Sequence, residues 1–511
     1  MTATGYRVVD RWRRWGRRRR RQTLEHFCPL ATRCECLRSP RIKVWVCVHV
    51  DVKSGSPPAW RGRVGATESQ EARNVKQDAE SELLRALHDG SLTEIEVAWS
   101  DPFGHAAGKR IPAQQFIDRA KHGFAFCEAA LGWNTDGTVI DGLRLTNWDD
   151  GYPDVHAIPD FSTYKPLPWR AGVGHVISDI VRPDGTPSLL DPRGALRRVI
   201  ARLGSLGFTA KVGVEFEFYL LNPDGSPIQH DIHAYSLENA NGLDPLISDL
   251  HHTLGAFTRL EGVQTEYGPG QVETNLVYTD ALAAADDGAR LKYAAKEVAR
   301  KHGKVASFMP KPFSDHSGSS AHLHISLWRD DEPAFAPVDG NEGELTLLAI
   351  AGLLEHLPAI TLFGAHSVNA YRRYTPDSFA PDTVNWSRDN RSAAIRSLVE
   401  DPPSASRIEL RSGASDANPY WLIASALAAV LAGLEAGRPP VAAGAGNLYG
   451  KGAPLPDSLG TALALTEQDD TILEILGRDS VLDFIAIARS EWLAYSGHVS
   501  DWERQRYLTT S

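Results

Sequence analysis

Cysteine is scarce in this chain of 511 residues: five in all, of which Cys28, Cys34, Cys36 and Cys47 fall within the first 75. Their spacing, Cys-x5-Cys-x-Cys-x10-Cys, lacks the paired CxxC knuckles of a tetrahedral zinc site, so the nearby His26 and His49 do not complete one. Cys127 is the one cysteine left in the body, which excludes a disulfide scaffold and leads us to expect a reducing, cytoplasmic setting. Long apolar runs are missing as well. The alanine-rich stretch 422–434 is about 13 residues where a membrane span needs about 20. It opens after Asn418 and Pro419, and so reads as a buried helix. No apolar segment of signal-peptide length follows the arginines of residues 11–21. There is no GxxxxGK[ST] loop and no GxGxxG turn after a strand, so a nucleotide is held by neither a P-loop nor a Rossmann turn.

What is present is globular on average, with 42% hydrophobic and 23% charged residues and a net charge of −10. The average hides a break. Residues 1–75 hold 17 Lys/Arg against 6 Asp/Glu, leaving 37 against 58 for the rest, so the first part is +11 and the remainder −21. An arginine-rich arm with Trp12 and Trp15 interleaved has two readings: a nucleic-acid or membrane-surface contact, or a basic, disordered extension outside the fold. We expect the extension, and no nucleic-acid or membrane partner.

Past residue 75, residues 81–87 have the spacing of a short amphipathic helix, and residues 95–101 (IEVAWSD) alternate Ile95, Val97 and Trp99 on one face as a half-buried strand. That strand ends in the turn SDPFGHAAGK. A proline-rich connection, 153–187, leads to a domain boundary expected near Gly185 and then to alternating helices and strands.

Four short segments there carry polar residues at period two: VGVEFEFYL with Glu215 and Glu217, GQVETN with Glu273 and Asn275, AHLHISL with His322, His324 and Ser326, and RIELR with Arg407, Glu409 and Arg411. A solvated sheet face also alternates in this way, but such faces mix in lysine, which all four lack. If the strands are neighbours, carboxylates and imidazoles crowd together unless cations lie between them. Carboxylate oxygens with a single imidazole suit Mg2+ or Mn2+ better than zinc, and these metals chiefly serve phosphoryl chemistry. Arg373, Arg391, Arg396, Arg407 and Arg411 follow, forks for phosphate or carboxylate, and together they suggest a nucleotide and an acidic substrate.

With these motifs in order (WSDPFGHAAGK, GVEFEFYL, EYGPGQVE, KPFSDHSGSSAHLHISL, NAYRRYTPDSFAP, NRSAAIR, RIELRSGASDANPY and VSDWERQRY), the chain resembles the glutamine synthetase family from about residue 95 to 507. The resemblance implies an α+β fold with a small N-terminal β-grasp domain, 76–185, and a large catalytic α/β domain, 186–511, with a curved antiparallel sheet. It also implies a ring-type homo-oligomer, usually a dodecamer, whose sites are completed by the neighbouring subunit. Two Mg2+ or Mn2+ ions per site would be held by Glu217, Glu266 and Glu273, and by Glu215, His322 and Glu409. Arg373, Arg411 and the backbone of Gly318 match positions that hold glutamate. Arg391, Arg396 and Arg407 match positions facing the ATP phosphates and the acyl phosphate, His324 and Ser326 positions beside the nucleoside, and Asp101 the aspartate that reaches the amine. The implied reaction passes through γ-glutamyl phosphate to a γ-amide.

One departure bears on the acceptor. Ammonia-using members carry a glutamate immediately before the AP of the DSFAP-type run, where this chain has Phe379, and a phenyl ring can neither accept a proton nor bind a small cation by charge. The NGSG-type loop has Ser317 and Ser320, and the GGYF-type loop is HDIHAYS, around Tyr235. The expected acceptor is therefore an organic amine, such as a polyamine, ethanolamine or another primary amine. Two alternatives stand beside it: an ordinary glutamine synthetase in which Asp101 suffices for ammonia, and a catalytically silent nitrogen-sensing scaffold. The clustered carboxylates argue against the scaffold. Tyr449, in NLYG, sits where some bacterial members carry an adenylylated tyrosine, although the following GKGAPLPD differs from that context.

Overall fold

The computed structural model describes residues 70–230 and 234–510, with side chains from residue 76. The arginine run, the four early cysteines and residues 1–69 of the extension expected over 1–75 lie outside the described residues, and residues 70–75 belong to a helix. Helix α1 (Gln70–His88) starts at Gln70 rather than at residue 81 and buries Leu83.

Two sheets follow. In the first, β1 (Glu94–Ser100), β2 (Ala106–Pro112), β3 (Phe124–Cys127), β4 (Asp154–Pro159) and β5 (Val173–Val181) lie in the order β2-β1-β5-β4-β3. The β1–β5 pair is parallel and its flanking pairs are antiparallel. Two expectations are corrected here. Strand β1 buries Ile95, Val97 and Trp99 as the alternation predicts, yet its other face is covered too. Glu96 is buried against Arg110 Nε at 3.1 Å and the Tyr293 hydroxyl at 3.1 Å. The proline-rich stretch 153–187 is no mere connection, because it supplies β4 and β5. Its prolines flank the proline-free run VGHVISDIV, which pairs on both sides.

The second sheet is built on β6 (Thr209–Leu221), β7 (Leu260–Thr265), β8 (Gln271–Leu276), β9 (Ser320–Arg329), β10 (Trp386–Arg388), β11 (Ile395–Leu398) and β12 (Arg407–Ala414). Their order is β10-β11-β12-β9-β6-β8-β7, all antiparallel except β10–β11. Period two divides the faces. Val212, Val214, Phe216 and Phe218 of β6, Ala321, Leu323, Ile325 and Leu327 of β9, and Ile408 and Leu410 of β12 enter the core. The polar residues between them share the opposite face.

Helices α2 (Pro192–Ser205), α3 (Ala281–Lys301), α4 (Glu344–Gly364) and α5 (Pro419–Ala436) cover the apolar face, α3 against β6 and α4 against β12. Helices α4 and α5 are apolar and long enough by composition to cross a membrane, but 61% and 89% of their apolar windows are buried inside the protein, so both are core helices. The α5 element is the buried helix expected over 422–434, opened by the Asn418 side chain accepting the Tyr420 N–H and closed by Gly437 at φ 63°. Its backbone touches that of α4: a Cβ on Gly352 would stand 2.0 Å from the Ala429 carbonyl oxygen, and one on Gly433 2.2 Å from that of Leu348. Only glycine permits this approach.

Candidate active site

The four polar strands are consecutive neighbours, β12-β9-β6-β8, so the register stacks their side chains: His322 opposite Glu215, Glu217 opposite Glu273, and His324 opposite Glu409. Glu215 receives two imidazoles, His322 Nδ1 at 3.2 Å and His324 Nε2 at 3.0 Å. His322 Nδ1 also stands 3.7 Å from Glu409. Arg407 Nε donates to His324 Nδ1 at 3.0 Å, which makes Nδ1 an acceptor and leaves the proton on Nε2, facing Glu215. The two histidines therefore differ. Both His324 nitrogens are engaged, whereas the buried His322 Nε2 has no partner among the described residues. Glu215, His324 and Glu409 nevertheless bring donor atoms within 4.8 Å of one another, so His324 stands as close to this group as the expected His322.

Glu409 is buried at 1% exposure, with Arg411 on one oxygen and Arg396 Nη1 at 3.0 Å on the other. Burial pushes its carboxyl up, but Arg411 and the two imidazoles outweigh burial and hold it at about 2. Glu215 is likewise held well below the usual carboxylate range, its burial outweighed by hydrogen bonds from His322 and His324.

The other half of the cluster has no such cations. Glu273, buried, accepts from Gln264 at 2.7 Å and Asn275 at 2.9 Å, and is pushed up to about 9 by burial and then by Glu215 and Glu217. Glu266, in the turn between β7 and β8, is pushed up to about 7 by burial and by Glu217. Glu217 accepts from the Ser320 N–H at 2.9 Å and from Gln271 at 3.2 Å. Carboxylates that resist ionisation because of burial and then of one another, next to an orphaned imidazole nitrogen and without a thiolate, fit a hard divalent cation such as Mg2+ or Mn2+.

Four of the five arginines bond to side chains of this face. Arg373, at the end of the turn Ala370–Arg373, is 2% exposed and gives Nη2 to Ser320 Oγ at 2.9 Å, while its Nε and Nη1 have no partner among the described residues. Gly318 makes its path: a Cβ there would lie 2.6 Å from Arg373 Cγ. Arg411 donates from Nη2 to the Phe379 carbonyl at 3.1 Å, and its buried Nε is also unpartnered. Arg396 is pinned between Glu409 and Asp389. Arg391 is exposed and, with Tyr449, lines an open pocket of about 670 Å3. Ser326, further along β9, accepts the Trp328 indole N–H at its Oγ at 3.0 Å.

Phe379, at φ 59°, stacks on Tyr267 with centroids 5.5 Å apart, and the Tyr235 N–H donates to the Thr265 carbonyl at 2.9 Å. Residues 231–233 of the Tyr235 loop lie outside the described residues. Asp101 is placed elsewhere. In the β1–β2 turn its carboxylate takes the N–H groups of Phe103 and His105 at 3.0 and 2.8 Å and the His105 ring at 2.8 Å, and none of these partners belongs to the carboxylate cluster.

Two residues have no place among the sequence expectations. Gln271 ties Glu217 to the Gly318 carbonyl and Ser319, and it shares the parity of Glu273, so the period-two rule could have found it. Tyr267 sits in a turn, where no period applies.

The family described as glutamine synthetase, catalytic domain, matches residues 189–507. A Pseudomonas glutamate–isopropylamine ligase is 33% identical over 458 residues, covering 85% of this chain and 99% of the relative. A gamma-glutamylethanolamide synthetase of Streptomyces coelicolor is 32% identical, covering 83% of this chain and 94% of the relative. A Mycobacterium bovis glutamine synthetase is 34% identical, covering 84% and 98%. A solved structure described as a GmaS/ADP complex superposes with a TM-score of 0.74 at 28% identity, covering 83% of this chain and 99% of the other.

Proposed function

The chain belongs to the glutamine synthetase family, and we propose on that premise that it is an ATP-dependent carbon–nitrogen ligase that joins the γ-carboxylate of glutamate to an organic amine. The observation that carries the reading is a contrast within the site: the acidic side chains and four of the five arginines gather together, while residue 379 beside them is a phenylalanine stacked on a tyrosine.

On this reading Glu217, Glu266 and Glu273 would hold one Mg2+ or Mn2+, and Glu215, His322 and Glu409 a second, with the buried face of His322 giving its free nitrogen a use. Bound there, the ions supply positive charge against the nucleotide phosphates. Arg373 and Arg411, each with a buried unpartnered N–H, hold glutamate together with the Gly318 backbone. Arg391, Arg396 and Arg407 face the phosphates, with His324 and Ser326 toward the nucleoside. A γ-carboxylate oxygen attacks the γ-phosphorus, the bond to ADP breaks, and γ-glutamyl phosphate forms. The amine nitrogen then attacks the γ-carbonyl carbon, phosphate leaves, and the proton lost by nitrogen passes to a carboxylate, which we assign to Asp101 of a neighbouring subunit in a ring-type homo-oligomer, a dodecamer by family likeness. The first sheet, with a parallel pair at its centre, supports a β-grasp domain over 76–185, and the lone body cysteine supports a cytoplasmic setting.

Phosphate release from glutamate and ATP, measured with ammonia, ethanolamine, isopropylamine, putrescine or spermidine, tests the reading. Organic amines should support turnover. Turnover with ammonia alone, at equal or greater rate, would return the chain to the glutamine synthetase reading favoured by the mycobacterial relative.

A further inference from the structure

Three large aromatic side chains stand in solvent around one carboxylate. Tyr267 is 48% exposed, Phe379 50% and Tyr235 66%. All three attach to the segment that carries Glu266. The Tyr267 N–H donates to the Glu266 carboxylate at 3.1 Å, the Tyr235 N–H donates to the carbonyl of Thr265, and Phe379 lies over Tyr267 with ring planes 19° apart. Nor is the arrangement loose. Phe379 and Tyr235 are held at φ 59° and 62°, where bulky side chains seldom sit, and Arg411 fixes the Phe379 carbonyl while pairing with Glu409. Exposed, positioned aromatic rings gathered beside an acidic group mark a ligand surface rather than core.

The chemistry of that surface selects its ligand. Ring faces both attract an ammonium ion and cover the hydrocarbon attached to it. Ammonia has no carbon to cover. A polyamine brings a second cation, which the apolar stack cannot pair with an anion. Resting on the ligase reading above, we propose that Tyr267 and Phe379 form the selectivity wall of the acceptor site, and that the acceptor is a primary monoamine bearing a compact apolar substituent, branched alkyl or aryl.

Hydroxylamine separates this from the reading it rests on, because a nucleophile without carbon traps γ-glutamyl phosphate as the hydroxamate and makes no use of the wall. The full chain is assayed with glutamate, ATP and Mn2+ against hydroxylamine, isopropylamine, benzylamine, putrescine and ammonia, as wild type, Tyr267→Ala and Tyr267→Phe. Wild type should favour isopropylamine or benzylamine over putrescine and ammonia in kcat/KM. Tyr267→Ala should lower the ratio of isopropylamine to hydroxylamine kcat/KM about tenfold, mainly through the amine KM, and Tyr267→Phe should keep it. Hydroxamate formed by Tyr267→Ala also reports that the variant is folded. A wild type that prefers putrescine, or a ratio unmoved in Tyr267→Ala, overturns the wall while leaving the ligase in place. No hydroxamate from wild type overturns both.

Discussion

The acidic centre and the acceptor wall lie side by side but are made in different ways. Glu215, Glu217, Glu273, His322, His324 and Glu409 sit on strands whose opposite faces are packed in the core, so their positions follow from register alone. Phe379, Tyr267 and Tyr235 sit in turns, at positive φ or half exposed, held by a ring stack and a few backbone hydrogen bonds. The first kind of construction resists substitution, because moving one ligand means moving a strand. The second kind changes acceptor by changing one side chain.

The sharpest test of the strand half is Glu217→Ala, which is expected to remove one of the two Mn2+ sites in calorimetry and to lower phosphate release about a thousandfold. Retention of both ions would show that the register does not define the centre, and a wild type that binds no Mn2+ would revive a scaffold role. On the loop side, Phe379→Glu should raise kcat/KM for ammonia relative to isopropylamine by about tenfold, read from initial rates with each amine. Gly352→Ala strikes only the frame behind the strands: with a Cβ 2.0 Å from the Ala429 carbonyl, it should cost about 1–3 kcal/mol in urea unfolding and leave the ratio between amines alone.

A smaller effect concerns Lys292 on α3, whose buried ammonium donates to the carbonyls of Asp416 and Ala417 just past β12. Burial, and then Lys296, bring it down from 10.5 to about 7. The unfolded chain binds the extra proton between those values, so the stability contributed here rises with pH from about 7 to 10.5. Melting temperatures at pH 7 and 9.5 should therefore diverge in wild type and converge in Lys292→Met. The least effect is expected from removing residues 1–69: turnover and assembly size, by light scattering, should be unchanged.

Period two makes the strand half legible in the amino-acid sequence. Glu215 and Glu217, His322 and His324, and Glu409 can be assigned to one face because apolar and polar residues alternate in each segment, even though the pairing of β9 with β12 shifts register beside His322. That rule does not say which imidazole keeps a nitrogen free. The difference between His322 and His324 depends on Arg407, far away in sequence. The wall is half legible. Phe379 stands out as a departure from the family pattern, but its partner Tyr267 lies more than a hundred residues away, and no local pattern predicts a ring stack across that separation. Strand β5 is hidden for a plainer reason: the prolines around it belong to its ends, not to its pairing.

Arg411 joins the two constructions. One of its nitrogens pairs with Glu409, another fixes the Phe379 carbonyl, and a third is buried with no partner. On the proposed assignment that third nitrogen receives the amino-acid substrate, so a single guanidinium is shared by the acid and the loop that meets the amine. Acid and wall are thereby tied to one fixed guanidinium, so a substitution that displaces it disturbs both.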